Sequence, residues 1–229
     1  MRAWEKAVVK KTLWIVALVV VGCAMLTSGC TQRAKVHPSE MSYSLPTTIN
    51  VGIGETVPGT DIRFERSSED GAYVRIKGQE ALKRNGDSLN WHGEPLPGVE
   101  LTLKLRVAWQ NEDAMQLVGT AKVEMDDVAP RIATISKDSE LKFTGPVAYS
   151  IGKGAVIPGT TLTYEGRDDD DGAELGGLDE YPYRQVGDSI YWQGKLRDDI
   201  NIRLELRVLQ FDERTLRAGG LVTLWLGNS

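Results

Sequence analysis

The sequence predicts an all-β protein: two tandem, small antiparallel β-sandwich or barrel domains that arose by internal duplication and follow an N-terminal signal or anchor segment. Three observations predict it. Apolar and polar residues alternate with period two over long runs, those runs occur twice, and no amphipathic helix is found after residue 40.

The duplication is read by aligning VGIGETVPGTDIRFE (51–65) with IGKGAVIPGTTLTYE (151–165). Gly52, Gly54, Pro58, Gly59, Thr60 and Glu65 recur at an offset of 100, as do Pro46 and Pro146. A one-residue insertion near an acidic loop then makes the offset 101. GDSLNWHG (86–93) matches GDSIYWQG (187–194), LTLKLRV (101–107) matches IRLELRV (202–208), and Gly119 matches Gly220. A long repeat present only twice predicts two domains of one fold and not a solenoid. The organisation that follows is residues 1–29 as signal, 30–40 as tether, 41–126 as the first unit, 127–140 as linker and 141–229 as the second unit.

Each element has its own signal. In Val99–Trp109 the apolar Val99, Leu101, Leu103, Leu105, Val107 and Trp109 alternate with Glu100, Thr102, Lys104, Arg106 and Ala108, and Ile200 to Val208 repeats the pattern. That is a strand with one wet and one buried face, since a helix would spread these residues around its circumference. Leu117, Gly119, Ala121, Val123 and Met125 share one face of the next strand, as do Ala218, Gly220, Val222, Leu224 and Leu226. The polar connectors QNEDAM and QFDERTL make each pair a hairpin. Gly119 and Gly220 are expected to give room to a large opposing side chain or to mark a bulge. Val57-Pro58-Gly59-Thr60 and Ile157-Pro158-Gly159-Thr160 suit type II turns, each before a short strand (Ile62–Phe64, Leu162–Tyr164). Gly86-Asp87-Ser88 and Gly187-Asp188-Ser189 turn into Leu89–Trp91 and Ile190–Trp192. The count comes to roughly six strands per unit.

The N-terminus begins with the basic Arg2, Lys6, Lys10 and Lys11. It has no charge from Thr12 to Gln32 and is almost wholly apolar from Leu13 to Leu26. This is the layout of an export signal, with an apolar core short of a span of about 20 residues. Leu26-Thr27-Ser28-Gly29-Cys30 resembles the lipobox of bacterial lipoproteins, with Thr27 where that class usually has an aliphatic residue. The resemblance covers only this segment and implies cleavage before Cys30 and lipidation of Cys30. Val20-Val21-Gly22-Cys23 is an alternative box, but it would leave Ala24-Met25-Leu26 at the start of the mature chain. An uncleaved membrane anchor would put the rest of the chain on the same, extracytoplasmic side, because the basic residues precede the apolar run. With Cys30 acylated no thiol remains in the mature chain, which fits an oxidising compartment.

Residues 1–29 hold four basic residues and one acidic residue, which leaves 23 basic and 31 acidic residues from Cys30 onward, a net charge of −8. Such a surface repels phosphate backbones, so no nucleic-acid partner is expected. It also gives no general attraction to anionic lipid, so the membrane partnership is expected through the N-terminal lipid.

Several residues invite a functional reading. Trp91 and Trp192 occupy one repeat position and, with Tyr191 and His92, could stack on sugar rings, although sharing a face with Leu89 and Ile190 favours a core role. Asp168-Asp169-Asp170-Asp171-Gly172 could attract calcium, but the spacing fits no EF-hand loop and the first unit has only Glu69-Asp70-Gly71, so a solvated turn is expected. Glu65 with Arg106, and Glu165 with Arg207, read as cross-strand ion pairs on a sheet surface. His92 is Gln193 in the second unit, which speaks against a shared chemical role. On the outward face of the last strand Leu221 and Trp225 replace Thr120 and Glu124, a candidate apolar interface unless it packs on the other unit. No phosphate loop, nucleophile elbow or metal-ligand spacing is found, and no cofactor or metal is expected. The function predicted is a non-enzymatic, lipid-anchored binding or scaffold protein of the cell envelope, most simply with another envelope protein as partner. A carbohydrate-binding module is the second reading, and a carboxylate-dependent hydrolase the third.

Overall fold

The computed structural model describes residues 39–135, 137–168 and 172–227, and all their regular structure is β. The signal, Cys23, Cys30 and most of the tether lie outside the described residues. The first half contains β1 (Met41–Gly52), β2 (Ile62–Ser68), β3 (Gly71–Ile76), β4 (Gln79–Lys83), β5 (Ser88–Leu96), β6 (Val99–Gln110) and β7 (Ala114–Met125). A short β8 (Arg131–Ile132) lies in the linker. The second half contains β9 (Leu141–Gly152), β10 (Thr163–Asp168), β11 (Gly172–Gly176), β12 (Tyr183–Arg184), β13 (Ser189–Arg197), β14 (Ile200–Phe211) and β15 (Thr215–Leu226).

The topology repeats with the sequence. Sheet order β1-β7-β6-β5 recurs as β9-β15-β14-β13, and β2-β3-β4 recurs as β10-β11-β12, with all pairs antiparallel. Each half thus has seven strands where the sequence predicts about six. The extra strands, β4 and β12, are short and partly polar and carry no long alternation. Between the sheets of each half, the inward residues Leu101, Leu103 and Leu105 of β6 meet Phe64 and Val74 of the small sheet in one buried cluster. The second half does the same with Ile202, Leu204, Tyr164 and Leu175. Each such side chain, fully buried, contributes roughly 1.5–3 kcal/mol relative to exposure.

The turns form as their residues require. Gly59 and Gly159 have φ of 73° and 81°, and the Thr60 and Thr160 amides donate to the Val57 and Ile157 carbonyls at 3.1 Å. The threonine hydroxyls close the same turns from the side. In the β6–β7 and β14–β15 hairpins, Asn111 and Asp212 each accept two backbone N–H groups at 2.8–2.9 Å. Gly119 and Gly220 differ from expectation. A Cβ at either would fall 2.0–2.1 Å from the Lys104 or Glu205 carbonyl oxygen, so each admits the backbone of the adjacent strand and not an opposing side chain.

The two halves meet along β1 and β9, the outer strands of their large sheets, which touch without pairing. Both strands contain a proline, Pro46 or Pro146, which lacks the N–H needed to extend a ladder. A Cβ on Gly145 would sit 2.8 Å from Pro46 Cδ and 3.0 Å from Leu45 Cδ2, so contact this close requires glycine. The Pro-Gly turns reach across as well: Gly59 lies against Leu141 and Gly159 against the Tyr43 hydroxyl.

At one end of the seam Arg197 ties the halves together. Its Nη2 donates to the Pro97 carbonyl at 2.8 Å, and its Nη1 donates to the Gly98 and Asp126 carbonyls at 3.2 and 3.3 Å. Asp199 holds the same guanidinium from behind. The Tyr43 hydroxyl and that of Tyr149 on β9 are both buried and face each other across the seam. Burial, then the neighbouring Tyr149, pushes Tyr43 well above its ordinary value of 10.0, and burial raises Tyr149 too.

Two outcomes are expected. Gly145→Val forces Leu45 and Pro46 apart and lowers stability by about 1–3 kcal/mol in urea unfolding. The tyrosines fold as neutral groups whose folded values lie above the unfolded one, so their contribution is intact below about pH 10 and is lost as pH rises above it. A Tyr43→Phe, Tyr149→Phe protein keeps a larger share of its stability in an alkaline titration followed by circular dichroism.

Candidate functional site

The tryptophan pair divides. Trp192 is 4% exposed and its indole N–H donates to Thr161 Oγ1 at 3.2 Å. Trp91 is half-buried against the core and donates to Asp61 Oδ1 at 2.8 Å. Asp61 and Thr161 are repeat equivalents just after the Pro-Gly turns, so each tryptophan fastens that turn to the large sheet. Trp192 therefore presents no open ring for a sugar. Tyr191, 52% exposed with its hydroxyl on Gln193, and His92, exposed with Nδ1 3.0 Å from Thr102 Oγ1, point to the opposite, outward side of their strands.

The expected ion pairs are not formed. Glu65 lies on β2 and Arg106 on β6, which belong to different sheets. Glu65 instead accepts from Arg75 Nε at 2.7 Å, which holds its carboxyl below the ordinary range, and Glu80 is lowered in the same way by Arg66. Arg106 and Arg207 each donate to the carbonyl of the glycine 20 residues earlier, Gly86 or Gly187, at 2.8 Å. The shared arginine is a turn clasp in both halves. Asp169, Asp170 and Asp171 lie outside the described residues. Among the described residues no group of three or more His, Cys, Asp or Glu is placed to hold a metal ion.

Trp225 corrects a further expectation. It is 1% exposed, whereas Leu221 is 46% exposed, so the two do not form one surface patch. β8 pairs with β13 at Gly194–Lys195, on one edge of the sheet, and β9 lies beyond β15 on the other. Asn201, Thr223 and Trp225, at outward positions of their strands, are all buried. Ser139 Oγ donates to the Leu226 carbonyl, which brings the chain into β9 beside the end of β15. The Trp225 ring has Arg203 and Lys142 at 5.5 and 5.8 Å from its centroid.

Further along the same outward face an open surface remains. One row runs Tyr191–Glu205–Leu221–Pro146 across four strands, with the exposed Leu209 above it against Gly219. Leu209, at the β14 bulge, is 57% exposed. These side chains offer apolar contact and two charges of opposite sign, Glu205 and Arg207. Sequence reading identified Leu221 and Tyr191 but missed Leu209, because the bulge that turns it outward breaks the alternation. A second feature, an open cleft of about 520 Å³, is lined by Asp127, Ala129, Arg131, Leu196, Arg197, Asp198 and Asp199. Its arginines are engaged, Arg131 with Asp198 and Arg197 with Asp199 and the carbonyls of the first half.

Comparison with protein-family models, curated proteins and solved structures finds no match to this chain. The site is therefore read from its own residues. Trp192→Ala is expected to cost about 3–5 kcal/mol in urea unfolding, and Tyr191→Ala to stay within about 0.5 kcal/mol.

Proposed function

We propose that this chain is a lipid-anchored, extracytoplasmic protein of the bacterial cell envelope that binds or scaffolds another envelope protein and performs no catalysis of its own. The observation that carries this reading is the run Leu26-Thr27-Ser28-Gly29-Cys30 at the end of a short apolar core behind a basic start. The charge of −8 from Cys30 onward supports a lipid and not a protein face as the membrane contact. The surface best suited to a partner is the Tyr191–Leu221–Leu209 face, where apolar side chains stand exposed beside Glu205 and Arg207. A carbohydrate ligand is the second reading. It is supported by the exposure of Tyr191 and His92, and it no longer draws on Trp192.

Labelled palmitate tests the anchor. Incorporation is expected in the full chain and in Cys23→Ala and lost in Cys30→Ala; loss in Cys23→Ala alone would move the lipid site. Affinity capture of the lipidated protein from its native membrane tests the binding role. A partner that co-purifies with the full chain should be lost in Leu221→Asp with acylation unchanged, and retention of that partner would remove this face from the proposal.

A further inference from the structure

The outward face of the second large sheet is laid out in rows across β13, β14, β15 and β9. One row holds Tyr191, Glu205, Leu221 and Pro146, and the next holds Ser189, Arg207, Gly219 and Ala148. The first row carries the large side chains and the acid, and the second carries the small ones and the base. Leu209 lies over the gap at Gly219, its Cδ1 3.1 Å from where a Cβ would stand. Both charges reach solvent. Glu205 has Arg203 Nε at 3.5 Å and keeps 46% of its side chain exposed, and Arg207 uses Nη1 on the Gly187 carbonyl.

Such a pair of rows is complementary to itself. In a face-to-face dimer the two-fold axis lies parallel to the sheets, and the contact is isologous: residue i meets j and j meets i. An axis running across the strands, between the two rows, sets each row over the other row of the second copy. Glu205 then faces Arg207 of that copy at one crossing, and Arg207 faces its Glu205 at the other. Leu221 comes onto Gly219 and the Leu209 beside it, and Pro146 onto Ala148. An axis along β14 would instead set Glu205 on Glu205 and Arg207 on Arg207, like charges that disfavour the contact.

The first half is the internal contrast. Its equivalent rows hold Asn90, Lys104, Thr120 and Pro46, then Ser88, Arg106, Val118 and Thr48. Both charges there are positive, and asparagine and threonine stand where the second half has Tyr191 and Leu221. That face would repel a copy of itself, although its backbone is the same. Of the two halves, the second carries the pattern of charge and side-chain size that an isologous contact needs.

We propose that the protein pairs with a second copy of itself through this face, with β14 of one copy antiparallel over β14 of the other. The proposal rests on the reading of this face as a partner surface and names its occupant. It needs no lipid.

The test uses two differently tagged copies of the full chain, co-expressed and captured through one tag from detergent extracts of whole cells. Wild-type copies are expected to be recovered together. Glu205→Arg paired with itself, or Arg207→Glu paired with itself, sets like charges at both crossings, and recovery of the second tag should fall about tenfold or more. Glu205→Arg co-expressed with Arg207→Glu restores opposite charges at both crossings. Recovery should return to near the wild-type level, which also shows that both variants fold. Wild-type copies that do not co-purify, single reversals without effect, or a mixture no better than the like pairs would each overturn the dimer. The same extracts separate this outcome from the reading beneath it. A different protein recovered with the wild-type chain and lost in Leu221→Asp, with no second tag, keeps the face and overturns the dimer. Paired copies that incorporate no labelled palmitate keep the dimer and remove the anchor.

Discussion

Two sheet edges meet face to face along β1 and β9, and neither forms a ladder with the other. Their contact is van der Waals packing: Pro46 against Gly145, and a Pro-Gly turn of each half against the first strand of the other. Proline in each edge strand keeps the boundary from becoming a continuous sheet. The apolar residues of both halves nevertheless belong to one buried cluster. The chain thus repeats a fold while sharing an interior, and the linker has to travel from the end of β7 to the far side of the second large sheet to begin β9.

The outer faces of the two large sheets carry different residues. The same strand position bears Glu124 in the first half and a buried Trp225 in the second. Further along, the row through Leu221 is open to solvent, and among the described residues Tyr191 and Leu209 are the large exposed apolar side chains beside it.

Much of this was legible in the sequence. The alternation of Val99–Val107 and Ile200–Val208 placed the central strands and their buried faces, because side-chain direction in a strand is set by local geometry alone. The Pro-Gly-Thr turns were legible for the same reason. What escaped was non-local. β8 is two residues long and exists only because β13 offers it an edge. Glu65 and Arg106 looked like partners until the small and large sheets separated them. Trp225 lay on the outward side by periodicity, and nothing in its own neighbourhood records that it is buried. Leu209 escaped through a one-residue bulge.

Arg197 marks how far the copies have diverged. Its counterpart in the first half is Leu96, and the carbonyls it grips belong to the neighbouring Pro97 and Gly98 and to Asp126. Only one copy brings the guanidinium and only the other receives it. The tandem therefore resembles a heterodimer written on a single polypeptide: its protomers are no longer exchangeable, since a second copy of the first half would bring Leu96 to the place where the guanidinium is needed.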